Sequence, residues 1–244
     1  MKTHLDIPYV DHASDMQLLD MYLPDTENFD TVIWYHGGGL EAGSRKDNPL
    51  TKRLVEKGYG LVSVEYRMYP DAKFPDFLED GAASVAYILE NIRNYGGSGK
   101  LFVGGSSAGA YITAMLAFDP KYLDAYNIKT TDIAGYIINS AQMTTHFNVL
   151  RERGIDTRRI IVDEAAPVYH ISETTDFPNI LVFAADNDMP CRLEQNLMFL
   201  KTLEMFQCPS EKVHYRLMEG FSHCGYDDTD EFADIILQYM NSVY

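Results

Sequence analysis

Cysteine is scarce in this chain: Cys191, Cys208 and Cys224 are the only three among 244 residues. So small and odd a number makes no disulfide framework and suits a reducing compartment. Positive charge is scarce too. Twenty Lys and Arg stand against 36 Asp and Glu, a formal net charge of −16. Such a surface repels phosphate backbones and other polyanions, which excludes nucleic-acid binding and strongly anionic polymers from the expected functions. Long apolar runs are missing, since none approaches the roughly 18 residues of a membrane span. The opening MKTHLDIPYVDHASD has one lysine, early acids and no apolar h-region, so it is not expected to act as a secretory signal. A cytoplasmic location is the expectation. No repeat, low-complexity tract or Pro/Ser linker divides the chain, and no His/Cys/Asp cluster has metal-ligand spacing. Neither a metal nor a cofactor is expected.

What is present suits one folded domain spanning 1–244. Hydrophobic residues make up 46% of the sequence and charged ones 23%. A chain of this length buries about 70% of its unfolded surface. Apolar runs alternate with amphipathic stretches. Met16–Leu23, Thr31–Tyr35, Gly60–Tyr66, Lys100–Val103, Ile133–Asn139, Ile180–Ala185 and Val213–Met218 read as strands. Leu78, Ala82, Val85, Leu89 and Ile92 share one helical face. Phe232, Ile236, Tyr239 and Met240 share another. Asp47–Asn48–Pro49 predicts a helix start with proline in the first turn, and Gly58 its end. The alternation predicts an α/β fold with a mainly parallel central sheet and helices on both faces. Residues 141–176 break the rhythm and are expected to form a small cap region.

Chemistry concentrates at Gly105–Ser–Ser–Ala–Gly109, which follows a short apolar run and opens the helical stretch AYITAMLAF. That is the setting of a nucleophile elbow, a tight strand-to-helix turn that forces its central serine into the open. Ser107 is the central serine; centring on Ser106 breaks the glycine spacing. Its oxygen would sit near a helix N-terminus, whose partial positive charge favours a nearby oxyanion. His36–Gly–Gly–Gly39 ends an earlier strand. Glycines let backbone N–H groups approach a substrate closely, so Gly38, Gly39 and Ala108 are the candidate oxyanion donors. His36 is expected to hold this loop. A serine nucleophile also needs a base and an orienting acid. Of seven histidines, His223 lies in a loop between the last strand and the last helix, where a base would have access. His214 falls inside a strand, and His146 and His170 in the excursion. The acid should follow the strand ILVFAA, where Asp186 and Asp188 compete. Asp188 is favoured, with Asp186 as a turn residue.

HGGG at 36–39, Tyr66–Arg67 with Pro70 and Phe74–Pro75, Glu79–Asp80, GSSAG at 105–109, Asp188 and His223 resemble, in order, the α/β-hydrolase fold. The resemblance is closer to hormone-sensitive-lipase-like esterases and runs from about Val32 to His223. The stretch GYGLVSVEYRMYPDAKFPDFLEDGAASVAYI is similar to small bacterial carbohydrate, feruloyl or acetyl-xylan esterases. The resemblance implies a cofactor-free serine carboxylesterase with Ser107 as nucleophile, His223 as base and Asp188 as acid. A small-molecule or carbohydrate ester is the expected partner. Two departures stand out. Only 35 residues precede His36, too few for the long N-terminal cap of many lipase-like members, and Met68–Tyr69 replaces the commoner Leu–Ala. A shallow acyl pocket for short acyl groups is therefore expected. The rival readings are an amidase, arylformamidase or peptidase with the same triad, and a non-catalytic hydrolase-like binding protein. Oligomeric state is not readable from the sequence.

Overall fold

The computed structural model describes residues 1–46 and 48–243. Eight strands run in chain order: β1 (Lys2–Pro8), β2 (Leu18–Leu23), β3 (Phe29–Tyr35), β4 (Gly60–Val64), β5 (Gly97–Ser106), β6 (Gly135–Asn139), β7 (Ile180–Asn187) and β8 (Val213–Ser222). The helices are α1 (Thr51–Val55), α2 (Asp76–Asn91), α3 (Ala108–Phe118), α4 (Lys121–Asp124), α5 (Phe147–Glu152), α6 (Arg192–Met205) and α7 (Asp230–Ser242). The strands form one open sheet in the order β1-β2-β4-β3-β5-β6-β7-β8. β2 pairs antiparallel with both β1 and β4, and every pair from β4 through β3 to β8 is parallel.

The parallel strands read as continuous apolar runs because both of their faces are covered. Successive side chains point to opposite faces, so each strand feeds two cores. Ile33, Tyr35, Val62, Val103 and Ile138 join α2, α3 and α6 on one side. Val32, Trp34, Leu61, Phe102, Ile137 and Phe183 join α1 and α7 on the other. The predicted faces of α2 and α7 are the buried ones: Leu78, Ala82, Val85, Phe232, Ile236, Tyr239 and Met240 are each almost fully enclosed.

Two expectations need correction. β1 is an added edge strand that no apolar run announces, because most of its side chains are exposed. The proline-started helix begins later than its motif suggests: Asn48 Oδ1 accepts the Leu50 N–H at 3.0 Å, and α1 starts only at Thr51, two residues beyond Pro49. Asp47, the other residue of that motif, lies outside the described residues. Among the described residues, no helix is long and apolar enough to cross a membrane.

Candidate active site

Ser107 stands between the end of β5 and the start of α3, with φ 54° and ψ −109°. A non-glycine residue in that region is strained and must be held by its surroundings. Here Ser107 N–H donates to Asn139 O at 2.8 Å, and Ser107 O accepts from Tyr111 N at 3.0 Å. The turn is so tight that a Cβ at Gly109 would lie 2.0 Å from Tyr35 O, which only glycine avoids.

His223 and Asp188 reach Ser107 from neighbouring strand ends. Asp188 follows β7 and His223 follows β8, both on the carboxyl-end edge of the parallel sheet where β5 also delivers Ser107. Ser107 Oγ donates to His223 Nε2 at 2.8 Å, and His223 Nδ1 donates to Asp188 Oδ1 at 2.6 Å. This arrangement fixes the neutral imidazole as the Nδ1–H tautomer, leaving Nε2 to accept a proton. The Asp188 side chain is 1% exposed and that of His223 21%. Burial raises the Asp188 carboxyl, but the His223 hydrogen bond and charge and the Met189 N–H outweigh it, so its pKa lies below the ordinary value. Asp186 points elsewhere, accepting the Gly220 N–H at 2.7 Å.

The glycine loop is anchored from both sides. Gly38 has φ +116°, and a Cβ there would meet Ala42 O at 1.9 Å. Its neighbour Gly39 donates no backbone hydrogen bond among the described residues, and neither do Gly38 and Ala108. α5 of the 141–176 segment clamps the loop, as Asn148 Nδ2 donates to Gly39 O at 2.8 Å and Arg151 pairs with Glu41. Beneath it, His36 Nδ1 meets Gly37 O and Nε2 meets Glu65 Oε1, each at 2.7 Å. Both ring nitrogens are engaged, so His36 fastens the loop and has none left for proton transfer. Buried Arg45 contacts Glu65 at 3.3 Å and Asp20 at 3.2 Å and pairs directly with Asp6. Burial raises Glu65, yet His36 and Arg45 bring it below its ordinary pKa.

A second polar group beside Ser107 and His223 escaped the sequence reading. Asp227 accepts from Ser106 Oγ at 2.6 Å and from Asn139 Nδ2 at 2.7 Å, and Tyr226 OH donates to Asn139 Oδ1 at 2.5 Å. Burial pushes the Asp227 carboxyl up to about 6, against those hydrogen bonds and the charge of His223. In sequence, Asp227 opens the acidic run Asp227–Asp228–Thr229–Asp230, which reads as a solvated surface. Only its spacing after His223 could have hinted otherwise.

Ser107, His223, Gly38, Gly39 and Asp227 line a cavity of about 480 Å³, with Phe147 and Met189 on its rim. Ala108 is fully buried behind Ser107. A larger groove of about 750 Å³ lies near Met1, Pro24 and Lys52 and contains none of these groups. Among the described residues, no cluster of three or more His, Cys, Asp or Glu could hold a metal ion.

A mostly parallel eight-stranded sheet with a strained serine at its carboxyl edge is the α/β-hydrolase fold. A truncated form of a carbohydrate esterase from gut microbiota superposes with a TM-score of 0.81, covering 100% of this chain and 96% of its own at 17% identity. The chain belongs to the BD-FAE family, whose model matches residues 19–149, more than half of its length. Esterase LipC of Mycobacterium tuberculosis is 25% identical over 93% of this chain and 62% of its own. Kynurenine formamidase of Danio rerio is 25% identical over 89% of this chain and 76% of its own. The first curated relatives are longer proteins, of which the matches cover 24% to 62%.

Proposed function

We propose that the protein is a serine carboxylic-ester hydrolase for short acyl esters, acetylated or feruloylated carbohydrates among them, working through an acyl-enzyme. The observation that carries this reading is the unbroken relay Ser107 Oγ to His223 Nε2 and His223 Nδ1 to Asp188, at 2.8 and 2.6 Å. Ser107 Oγ attacks the ester carbonyl as its proton passes to His223 Nε2. Asp188, kept ionised, stabilises the resulting imidazolium. The N–H groups of Gly38, Gly39 and Ala108 receive the oxyanion; such a donor is typically worth about 3–4 kcal/mol of barrier. The carbon–oxygen bond to the alcohol breaks as His223 returns its proton to the leaving oxygen. Water then repeats the sequence on the acyl-serine, releases the acid and restores Ser107.

A panel of p-nitrophenyl esters from acetyl to palmitoyl, with acetylated sugars alongside, tests this reading. Acetyl and butyryl esters should exceed palmitoyl widely in kcat/KM, and Ser107→Ala should abolish turnover of all of them. Preference for acyl chains of twelve carbons or more, or full activity without Ser107, would contradict it.

The similarity to kynurenine formamidase favours a second reading, hydrolysis of an aryl formamide by the same three residues. Its tetrahedral chemistry is identical, and only the leaving nitrogen differs. Formanilide hydrolysis faster than ester hydrolysis under the same conditions would select it. We also propose that the chain acts as one domain, with 141–176 as a small cap whose α5 fixes the glycine loop.

A further inference from the structure

Beside the reaction cavity lies another of about 370 Å³, and Phe147 and Met189 line both. Its lining is unusual for this molecule. In a chain with 36 acids and 20 bases, three arginines line it, Arg158, Arg159 and Arg192, and no carboxylate does.

The three guanidinium groups are not equivalent. Arg158 is neutralised locally, gripping both carboxylate oxygens of Asp156 at 2.9 and 2.6 Å. Arg159 is exposed, and its side chain has no hydrogen-bond or ion-pair partner among the described residues. Arg192, the first residue of α6, is only 4% exposed. Its Nη1 donates to Ser140 O at 2.8 Å, and among the described residues no carboxylate lies within ion-pairing distance. Burial pulls its pKa down and the charge of Asp188 partly restores it, but an arginine keeps its proton throughout the range in which proteins work.

An amide completes the set. Thr144 Oγ1 donates to Gln195 Oε1 at 3.0 Å, while Gln142 Nε2 reaches Thr145 O at 2.9 Å and Thr144 Oγ1 at 3.5 Å. That chain orients Gln195, 7% exposed, and its NH₂ has no acceptor among the described residues. The cavity therefore gathers a buried guanidinium, an exposed guanidinium and an amide NH₂, all donors. Among the described residues no carboxylate is in hydrogen-bond or ion-pair contact with them, and Asp188 and Asp156 act on Arg192 and Arg159 only through their charge. No atom of Arg192 or Gln195 is among the buried side-chain atoms left without a partner, and Arg159 is exposed, so their free N–H groups face solvent and are open to a ligand. A planar carboxylate matches the guanidinium fork.

We propose that this cavity is a carboxylate-binding subsite built from Arg159, Arg192 and Gln195, selecting short esters that carry one carboxylate away from the reacting carbonyl. The proposal rests on the ester-hydrolase reading and names its substrate class. The overall charge of −16 opposes polyanions, so a single carboxylate on a small substrate fits both the local and the global field. Phe147 and Met189, shared by the two cavities, provide an apolar sill for the carbon spacer.

The test has two arms, because the carboxylate could sit on either side of the ester. p-Nitrophenyl hydrogen glutarate is compared with p-nitrophenyl hexanoate for an acyl-borne carboxylate, and 4-acetoxybenzoate with p-tolyl acetate for an alcohol-borne one. In at least one arm the charged-to-neutral ratio of kcat/KM should fall about tenfold in Arg159→Gln, mainly through KM. Arg159→Lys should keep part of the preference, and 0.5 M NaCl should shrink it. Ratios unchanged by Arg159→Gln in both arms would overturn the subsite. If the wild-type protein turns over none of these esters, the hydrolase reading itself fails. Calorimetric titration of Ser107→Ala protein with glutarate then decides the subsite alone: binding weakened by Arg159→Gln supports it, and no binding overturns it.

Discussion

Asp186 and Asp188 are two residues apart and sit in opposite environments. Asp186 is exposed and holds the Gly220 N–H at 2.7 Å, a contact that orders the turn. The Asp188 carboxylate is enclosed, takes the Met189 N–H at 2.6 Å and faces His223 Nδ1 at the same distance. An amide at 188 keeps the shape but can turn its NH₂ toward Nδ1, which favours the tautomer with the proton on Nε2. Ser107 would then meet a nitrogen that cannot accept. In the serine-protease example this change costs about 10⁴ in kcat, and Asp188→Asn should fall on that scale. Asp186→Asn should lose less than about tenfold, because a surface turn contributes chiefly to loop order. Steady-state kinetics of the two variants on p-nitrophenyl acetate check this. Equal losses would mean that the acid is misassigned.

At the scale of elements, legibility in the sequence followed burial. The strands from β3 to β7 sit in the middle of the sheet with both faces covered, so each is written as an apolar run that needs no knowledge of its neighbours. The elbow was legible for a related reason. Gly109 meets Tyr35 O, and close backbone approach leaves a glycine wherever it occurs. β1 has neither signature, because an edge strand with exposed side chains is composed like a loop. α1 showed its motif but not its first turn, since the Asn48 side chain bonds Leu50 N–H ahead of the helix. Asp227 and Arg192 were invisible for a third reason. Each acquires its role from residues distant in the chain: Ser106 and Asn139 for Asp227, Ser140 for Arg192. A lone acid in an acidic run, or a lone arginine opening a helix, looks the same whether it is buried or solvated.

The molecule as a whole stores a pH dependence beside its candidate active site. Asp227 is pushed up to about 6, whereas an unfolded aspartate loses its proton about two pH units lower. Between those values the native state binds more protons than the unfolded one, so Asp227 lowers stability as pH rises. Its destabilising effect is absent below the unfolded value and complete above about 6. The gap is worth about 3 kcal/mol. Asp188, with its lowered pKa, acts oppositely: its stabilisation holds at neutral pH and is lost as pH falls through its folded value. In urea melts, the unfolding free energy of Asp227→Asn minus that of wild type should therefore rise by up to about 3 kcal/mol between pH 4 and pH 7, and a constant difference would contradict this. The proposed activity and this stability term share one edge of the sheet, where β5, β7 and β8 deliver Ser107, Asp188 and His223. The claim that this edge performs acyl transfer is tested most directly by treating the protein with a fluorophosphonate and mapping the adduct by mass spectrometry. One phosphonyl group per chain, on Ser107, lost in Ser107→Ala and slowed by several orders of magnitude in His223→Ala, is the result expected. Labelling at Ser106, or no stoichiometric adduct in the wild-type protein, would contradict the account.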